Sequence, residues 1–139
     1  MSRQKQCYSV ICLPKQGYYH EIVLNGDIDI YMAPRLKAAM DAILSGNFGP
    51  VDRIIIHTEP GDFLLEDGRV FHSNGLKYLD STGIDAILGG LKRARKLEGD
   101  IYLIISDPRI RRIFEIGSLD RVFKIYSSRE ELENGITQS

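Results

Sequence analysis

Cysteine is scarce: Cys7 and Cys12 are the only two thiols in the 139 residues. Five positions apart on an extended chain, they would point to opposite faces, so a disulfide between them is not expected. Neither their spacing nor their companions suggest zinc. They read as two reduced structural thiols of a cytoplasmic protein. Long apolar runs are absent too. Nothing approaches the roughly 18 residues needed to span a bilayer, and the start, MSRQKQCYSV, lacks the apolar stretch of a secretion signal. Excess charge of one sign is also missing. A formal net charge of −1 gives no general attraction to nucleic acid or to an anionic membrane. Neither G-x-x-x-x-G-K-[ST] nor a G-x-G-x-x-G after a strand occurs, so no cofactor is expected by those devices.

What is present is an ordinary core-forming composition. Apolar residues make up 43% and charged residues 27%, over a length that suits a single domain. QCYSVICL (6–13) predicts a strand, PKQG (14–17) a turn, and YYHEIVLNG (18–26) a second strand pairing back as a hairpin. APRLKAAMDAILSG (33–46) predicts a helix, with Pro34 in the first turn and Leu36, Ala39, Met40, Ile43 and Leu44 on one face. VDRIIIHT (51–58) is a buried-type strand. DFLLEDGRVFH (62–72) places Asp67-Gly68 between two apolar runs and predicts a hairpin, followed by a loop over 72–75. Helical periodicity returns from Thr82 to about Leu97. DIYLIIS (100–106) reads as a strand, PRIRRIFEIG (108–117) as a helix, VFKIY (122–126) as a short strand and SSREELENG (127–135) as a closing helix. Strands alternating with helices imply an α/β fold with a mixed, mostly parallel sheet, an antiparallel edge strand and about four helices.

Catalytic patterns are weak. Ser81 sits on a strand-to-helix turn, but its neighbours Asp80 and Thr82 are not the glycine flanks of a nucleophile elbow. His57 and His72 with Glu59, Asp62, Glu66 and Asp67 match no standard metal-ligand spacing, and a solvated acidic hairpin is the simpler reading. KRARK (92–96) reads as a solvated helix end, not a nucleic-acid patch. The stretch YLDSTGIDAILGG (78–90) stands out. Three capping-type residues, Asp80, Ser81 and Thr82, stand together where a helix begins. Asp80 or Ser81 could cap it, and Thr82 with Asp85 could form a capping box. Gly89-Gly90 costs a helix about 1 kcal/mol per glycine, which close packing on a sheet would explain.

These residues carry a resemblance. LDSTG, preceded by LNGDIDIYMAPRLKAAM and followed by DPRIRRIFEIGSLDRVFKIY, resembles the STAS domain of bacterial anti-sigma factor antagonists, over about 110 residues. The resemblance implies a non-enzymatic switch formed by residues 1–139 as one STAS domain. Its unphosphorylated form would bind an anti-sigma factor serine kinase, and a metal-dependent serine phosphatase would reverse the modification. It makes Ser81 the phosphoacceptor and gives partner recognition to Asp29, Asp80, Thr82 and Gly83. On this reading no metal, cofactor, membrane or nucleic acid takes part directly. A phosphate at Ser81 would meet free N–H groups and the positive end of the helix dipole. Two features depart from the family pattern. An extra segment over about 59–77 precedes the phosphoacceptor turn, and its Phe63, Leu64, Leu65, Val70 and Phe71 must bury against something. Met32 stands where the family often has a capping threonine, so the following helix would start less firmly. A STAS scaffold that self-associates through the extra segment, or a domain binding a nucleotide or lipid at the sheet's carboxyl end, are the alternatives.

Overall fold

The isoleucine-rich segments occupy the middle of the molecule. The computed structural model describes residues 9–16, 19–46 and 53–137. Cys7 therefore lies outside the described residues, and Cys12 carries a free thiol. The main sheet has five strands. These are β1 (Val10–Gln16), β2 (Tyr19–Leu24), β4 (Arg53–His57), β8 (Asp100–Ile104) and β9 (Lys124–Tyr126), adjacent in that order. β1 pairs antiparallel at one edge, and the other pairings are parallel. Among the described residues four α-helices complete the fold: α1 (Ala33–Leu44), α2 (Ser81–Lys96), α3 (Pro108–Ile116) and α4 (Arg129–Thr137). The expected mixed α/β architecture with an antiparallel edge is what forms.

Alternation along the parallel strands divides the core in two. Ile22, Leu24, Ile54, Ile56, Ile101 and Leu103 pack with Leu36 and Met40 of α1, Ile87 and Leu91 of α2 and Phe114 of α3. The opposite face carries Ile55, Tyr102 and Ile104 under Leu132 of α4. Each fully buried aliphatic chain of this kind stabilises by about 1.5–3 kcal/mol relative to exposure. Gly90 lets α2 come close, but chiefly to α1. A Cβ there would sit 2.5 Å from Met40 Sδ and 3.5 Å from Ile101 Cδ1. The expected helix-on-sheet explanation for the glycine pair thus gives way to helix-on-helix contact. Gly89 has nothing within 4 Å of where its Cβ would stand.

Several elements differ from the sequence reading. The turn expected at 14–17 is instead strand as far as Gln16, with a register shift between Leu13 and Gln16. Pro14 is tolerated because β1 is an edge strand, where a missing N–H leaves no ladder bond unmade. Two strands escaped the pattern. β3 (Gly26–Ile28) and β7 (Leu76–Leu79) pair in parallel as a separate ribbon, and the loop expected over 72–75 shrinks to its last two residues. Gly75 adopts φ +87°, with Pro60 Cδ 3.1 Å from the position of its missing Cβ, so it turns the chain where a side chain would strain it. The predicted hairpin forms as β5 (Gly61–Leu64) and β6 (Val70–Ser73). Its apolar residues do not all bury. Phe63, Leu65 and Phe71 are half-buried, whereas Leu64 and Val70 remain 60% and 49% exposed. Among the described residues, no helix is long and apolar enough to cross a membrane.

Candidate functional site

The β3–β7 ribbon positions the site. Ile28 pairs with Leu79, so the next residue of each strand, Asp29 and Asp80, leaves the ribbon from neighbouring positions. The Asp80 N–H donates to the Ile28 carbonyl at 3.3 Å, which ties the two exits together. Two turns, one opening α1 and one opening α2, therefore face the same end of the ribbon.

Asp80 is the cap of α2. Its Oδ1 accepts the backbone N–H groups of Thr82 at 3.0 Å and Gly83 at 3.1 Å. The Thr82 hydroxyl donates to the same oxygen at 2.5 Å. That hydroxyl bond, joined by the N–H groups of Gly83, Thr82 and Ile30, holds the Asp80 carboxyl below the usual carboxylate range. The proposed Thr82–Asp85 capping box does not form, because Thr82 already lies inside the helix and bonds backwards to Asp80. Ser81 is then the first helical residue, and it is exposed. Among the described residues no hydrogen bond engages its hydroxyl. One expectation is corrected here. The N–H groups of Thr82 and Gly83 are not free to receive a phosphate, since the Asp80 carboxylate occupies them. A phosphoryl group on Ser81 would feel the helix dipole while standing beside an ionised acid.

Gly83 is a packing requirement of the turn. A Cβ on it would lie 2.5 Å from Leu79 Cδ1 and 3.2 Å from the Ile28 carbonyl oxygen. The glycine lets α2 start hard against the ribbon. Asp29 plays for α1 the part that Asp80 plays for α2. Its Oδ1 accepts the N–H groups of Tyr31 at 2.9 Å and Met32 at 3.1 Å. Met32 contributes no side-chain cap, as expected, but Asp29 supplies one from three residues upstream. Of the five residues singled out in the sequence, Asp29, Asp80, Ser81 and Thr82 thus meet at one surface, while Gly83 is buried beneath it.

Two features beside this turn were not read from the sequence. An apolar groove of ≈ 540 Å³ runs between α1 and α2 from Thr82 to Gly89, floored by Met40 and Gly90 and edged by Lys37 and Arg93. Ile30, 62% exposed, lines one end of it, and the next residue, Tyr31, is 79% exposed. The available signal was IDIYM, whose apolar residues precede the helix and do not fit its periodic face. Arg93 is paired with Asp41 across the two helices, so KRARK is partly engaged in holding the groove together.

The second feature lies on the α4 face of the sheet. Glu21 and His57 are buried, and Glu21 Oε1 lies 2.6 Å from His57 Nε2 and 2.7 Å from Arg129 Nη1. His57 Nδ1 lies 3.0 Å from Glu59 Oε2. Burial opposes ionisation of both partners, but it is outweighed. The His57 bond and the Arg129 charge leave the Glu21 carboxyl below its usual value, and the bonds to Glu21 and Glu59 leave the His57 imidazole above its own. The solvated-hairpin reading therefore holds for the exposed Asp62, Glu66 and Asp67 but not for Glu59, whose side chain is 18% exposed. His72 pairs with Asp62 on the surface. His57 is committed to two carboxylates and is not a free base.

The STAS domain family matches residues 20–132. An anti-sigma-B factor antagonist of Listeria monocytogenes is 29% identical over 114 residues, spanning 81% of this chain and 82% of that protein. The fold of an anti-sigma factor antagonist from Mycobacterium paratuberculosis superposes with a TM-score of 0.71 at 18% identity, covering 93% of this chain and 95% of that one. The antagonist SpoIIAA in its unphosphorylated form superposes with a TM-score of 0.62 at 19% identity, covering 94% and 98%. The phosphorylated form of the Bacillus protein superposes with a TM-score of 0.62 at 20% identity, covering 91% and 98%.

Proposed function

Since the chain belongs to the STAS domain family, we propose that it is an anti-sigma factor antagonist-like partner switch. Its unmodified form binds an anti-sigma factor serine kinase. The kinase transfers a phosphoryl group to Ser81, which releases the complex, and a metal-dependent serine phosphatase restores the starting state. The carrying observation is the exposed Ser81 hydroxyl at the first position of α2, beside a rigid acidic turn built by Asp80. That turn presents the oxygen without activating it, which suits a protein substrate of another enzyme. The existence of unphosphorylated and phosphorylated forms of a protein with this fold supports the same reading.

In this scheme Asp29, Asp80, Thr82 and Gly83 shape the surface the kinase reads, and the β5–β6 hairpin is an addition preceding that surface. Incubation with the cognate kinase and ATP is expected to give a single phosphate mass shift, mapped to Ser81. Ser81→Ala should lose the shift and keep kinase binding. Absence of the shift with the correct kinase sinks the reading.

The α1–α2 groove is the apolar part of the kinase footprint, because it opens at Thr82, next to the modified oxygen. Gly89→Leu would fill it. The added side chain meets nothing within 4 Å at its Cβ, and replacing a helical glycine removes a penalty of about 1 kcal/mol. The variant is expected to keep or raise the thermal midpoint while kinase affinity falls at least about tenfold. Unchanged affinity in a titration would exclude the groove from the footprint.

A further inference from the structure

Both ring nitrogens of His57 lie within hydrogen-bond distance of carboxylate oxygens, Nε2 at 2.6 Å from Glu21 and Nδ1 at 3.0 Å from Glu59. Ionised carboxylates only accept, so the imidazole must donate from both nitrogens and carry a positive charge. Its two acceptors are not equivalent. Glu21 keeps a second donor in Arg129, which also holds Glu133 at 3.0 Å. Glu59 has no such reserve. Its Oε2 is bonded to His57, and its Oε1 is buried with no hydrogen-bond partner among the described residues. Other titratable and charged groups at the parity of this sheet face include Tyr19 of β2, Arg53 of β4, Asp100 and Tyr102 of β8, and Lys124 and Tyr126 of β9, with Lys124 paired to Asp100 at 3.0 Å. Arg53 and Arg129 lie over the Tyr19 ring and Lys124 over the Tyr102 ring. None of these is bonded to Glu59.

Glu59 lies between His57, the last residue of β4, and Gly61, the first of β5. The hairpin also places Phe63 against the same imidazole, with ring centroids 5.0 Å apart and the planes tilted by 59°. The outgoing strand is therefore fastened to the sheet through His57. The chain that follows the returning strand is fastened by neutral groups instead. Asn74 N–H donates to Asn25 Oδ1 at 2.9 Å and Leu76 N–H to the Thr58 carbonyl at 2.9 Å.

We propose that His57 and Glu59 form a proton-controlled latch at the root of the β5–β6 hairpin. With His57 doubly protonated the outgoing strand is held against the sheet. With His57 neutral, its single N–H stays with Glu21, the nearer and more buried acceptor, and Glu59 is left as a mostly buried carboxylate without a donor. An uncompensated buried charge is not retained, so Glu59 turns out to water and takes Pro60 and Gly61 with it. Opening is one-sided, hinged on the returning strand. Because the folded His57 midpoint is raised, the fastening is complete below about pH 6.5 and is lost as pH rises through that raised midpoint. Between the ordinary histidine value and that raised midpoint the ratio of open to closed grows about tenfold per pH unit, and above the midpoint it levels off. The latch does not depend on any role for Ser81.

The test is an NMR titration of the full chain between about pH 5.5 and 9, a range that brackets an ordinary histidine. The His57 ring signals are expected to titrate above about 6.5. The Gly61 and Phe63 amides should shift with the same midpoint, while those of Asn74 and Leu76 stay still. In Glu59→Gln the His57 midpoint should fall and the hairpin amides should stop following it. A wild-type His57 that titrates at or below its ordinary value, or Gly61 and Phe63 amides that ignore its titration, overturns the latch. Should Glu59→Gln fail to fold, the wild-type titration alone decides.

Discussion

Phosphorylated at Ser81, the chain is expected to bind its kinase about 30- to 100-fold more weakly than when unmodified. The modification adds about −1.5 to −2 charges at neutral pH. Facing one partner carboxylate at roughly 6 Å, with an effective dielectric near 40, that charge costs about 2–3 kcal/mol. The local geometry offers little to cancel it. The Thr82 and Gly83 N–H groups, which would otherwise receive the phosphate, already bond to Asp80. Asp80 itself is ionised, and Asp29 leaves the ribbon from the neighbouring position. The new charge thus stands outward, toward the partner. Calorimetric titration of both forms against the kinase measures the difference, and raising the salt should narrow it, since exposed charges are screened over about 10 Å at 0.1 M. Equal affinities would show that the charge at Ser81 controls nothing at this surface. The circular dichroism of the two forms should superimpose, because the cap that starts α2 is on Asp80 and is not displaced.

Glu21→Ala is expected to be the most destabilising single change in the molecule away from the apolar core, at about 3–5 kcal/mol. The cost comes from what it leaves behind. Glu21 accepts from both His57 and Arg129, and its side chain is 4% exposed. Without it a buried imidazolium and a guanidinium face each other with only Glu59 and Glu133 nearby. A total folding stability of about 5–15 kcal/mol leaves little room for such a loss, and the melting midpoint should fall by about 10–15 °C. Glu21→Gln, which keeps one acceptor oxygen, should lose less. Thermal unfolding at neutral pH decides, and a Glu21→Ala midpoint within two degrees or so of the parent would mean that the Glu21–His57–Arg129 cluster is solvated in solution.

The contrast between these two sites explains what the sequence could show. The Ser81 turn is local. Asp80, Ser81 and Thr82 are consecutive, and three capping-type residues before a periodic apolar run announce a helix start. Which of them caps was not legible, because Asp80 is selected by the ribbon that delivers it. The ribbon itself is non-local: GDI and LKYL are too short to show a period, and each is a strand only because the other is there. The Glu21–His57–Arg129 cluster is more distant still. Glu21 meets His57 across 36 positions and Arg129 across 108. Nothing in YYHEIVL marks its glutamate as buried, and the alternation there is as compatible with a solvated acid. The central strands and the four helices were legible for the opposite reason, since RIIIH and DIYLI need a buried place whatever their neighbours are. Pro14 misled because a proline marks either a turn or the rim of a sheet.

That rim has a bearing on how the molecules behave in a crowd. Any outermost strand offers a row of unmatched amide groups onto which a second chain can zip. Here one border of the main sheet carries Pro14 and a register slip, and the other is only three residues long and bears Lys124. Neither offers a straight run for stacking copies, so concentrated solutions should resist fibre growth through these borders.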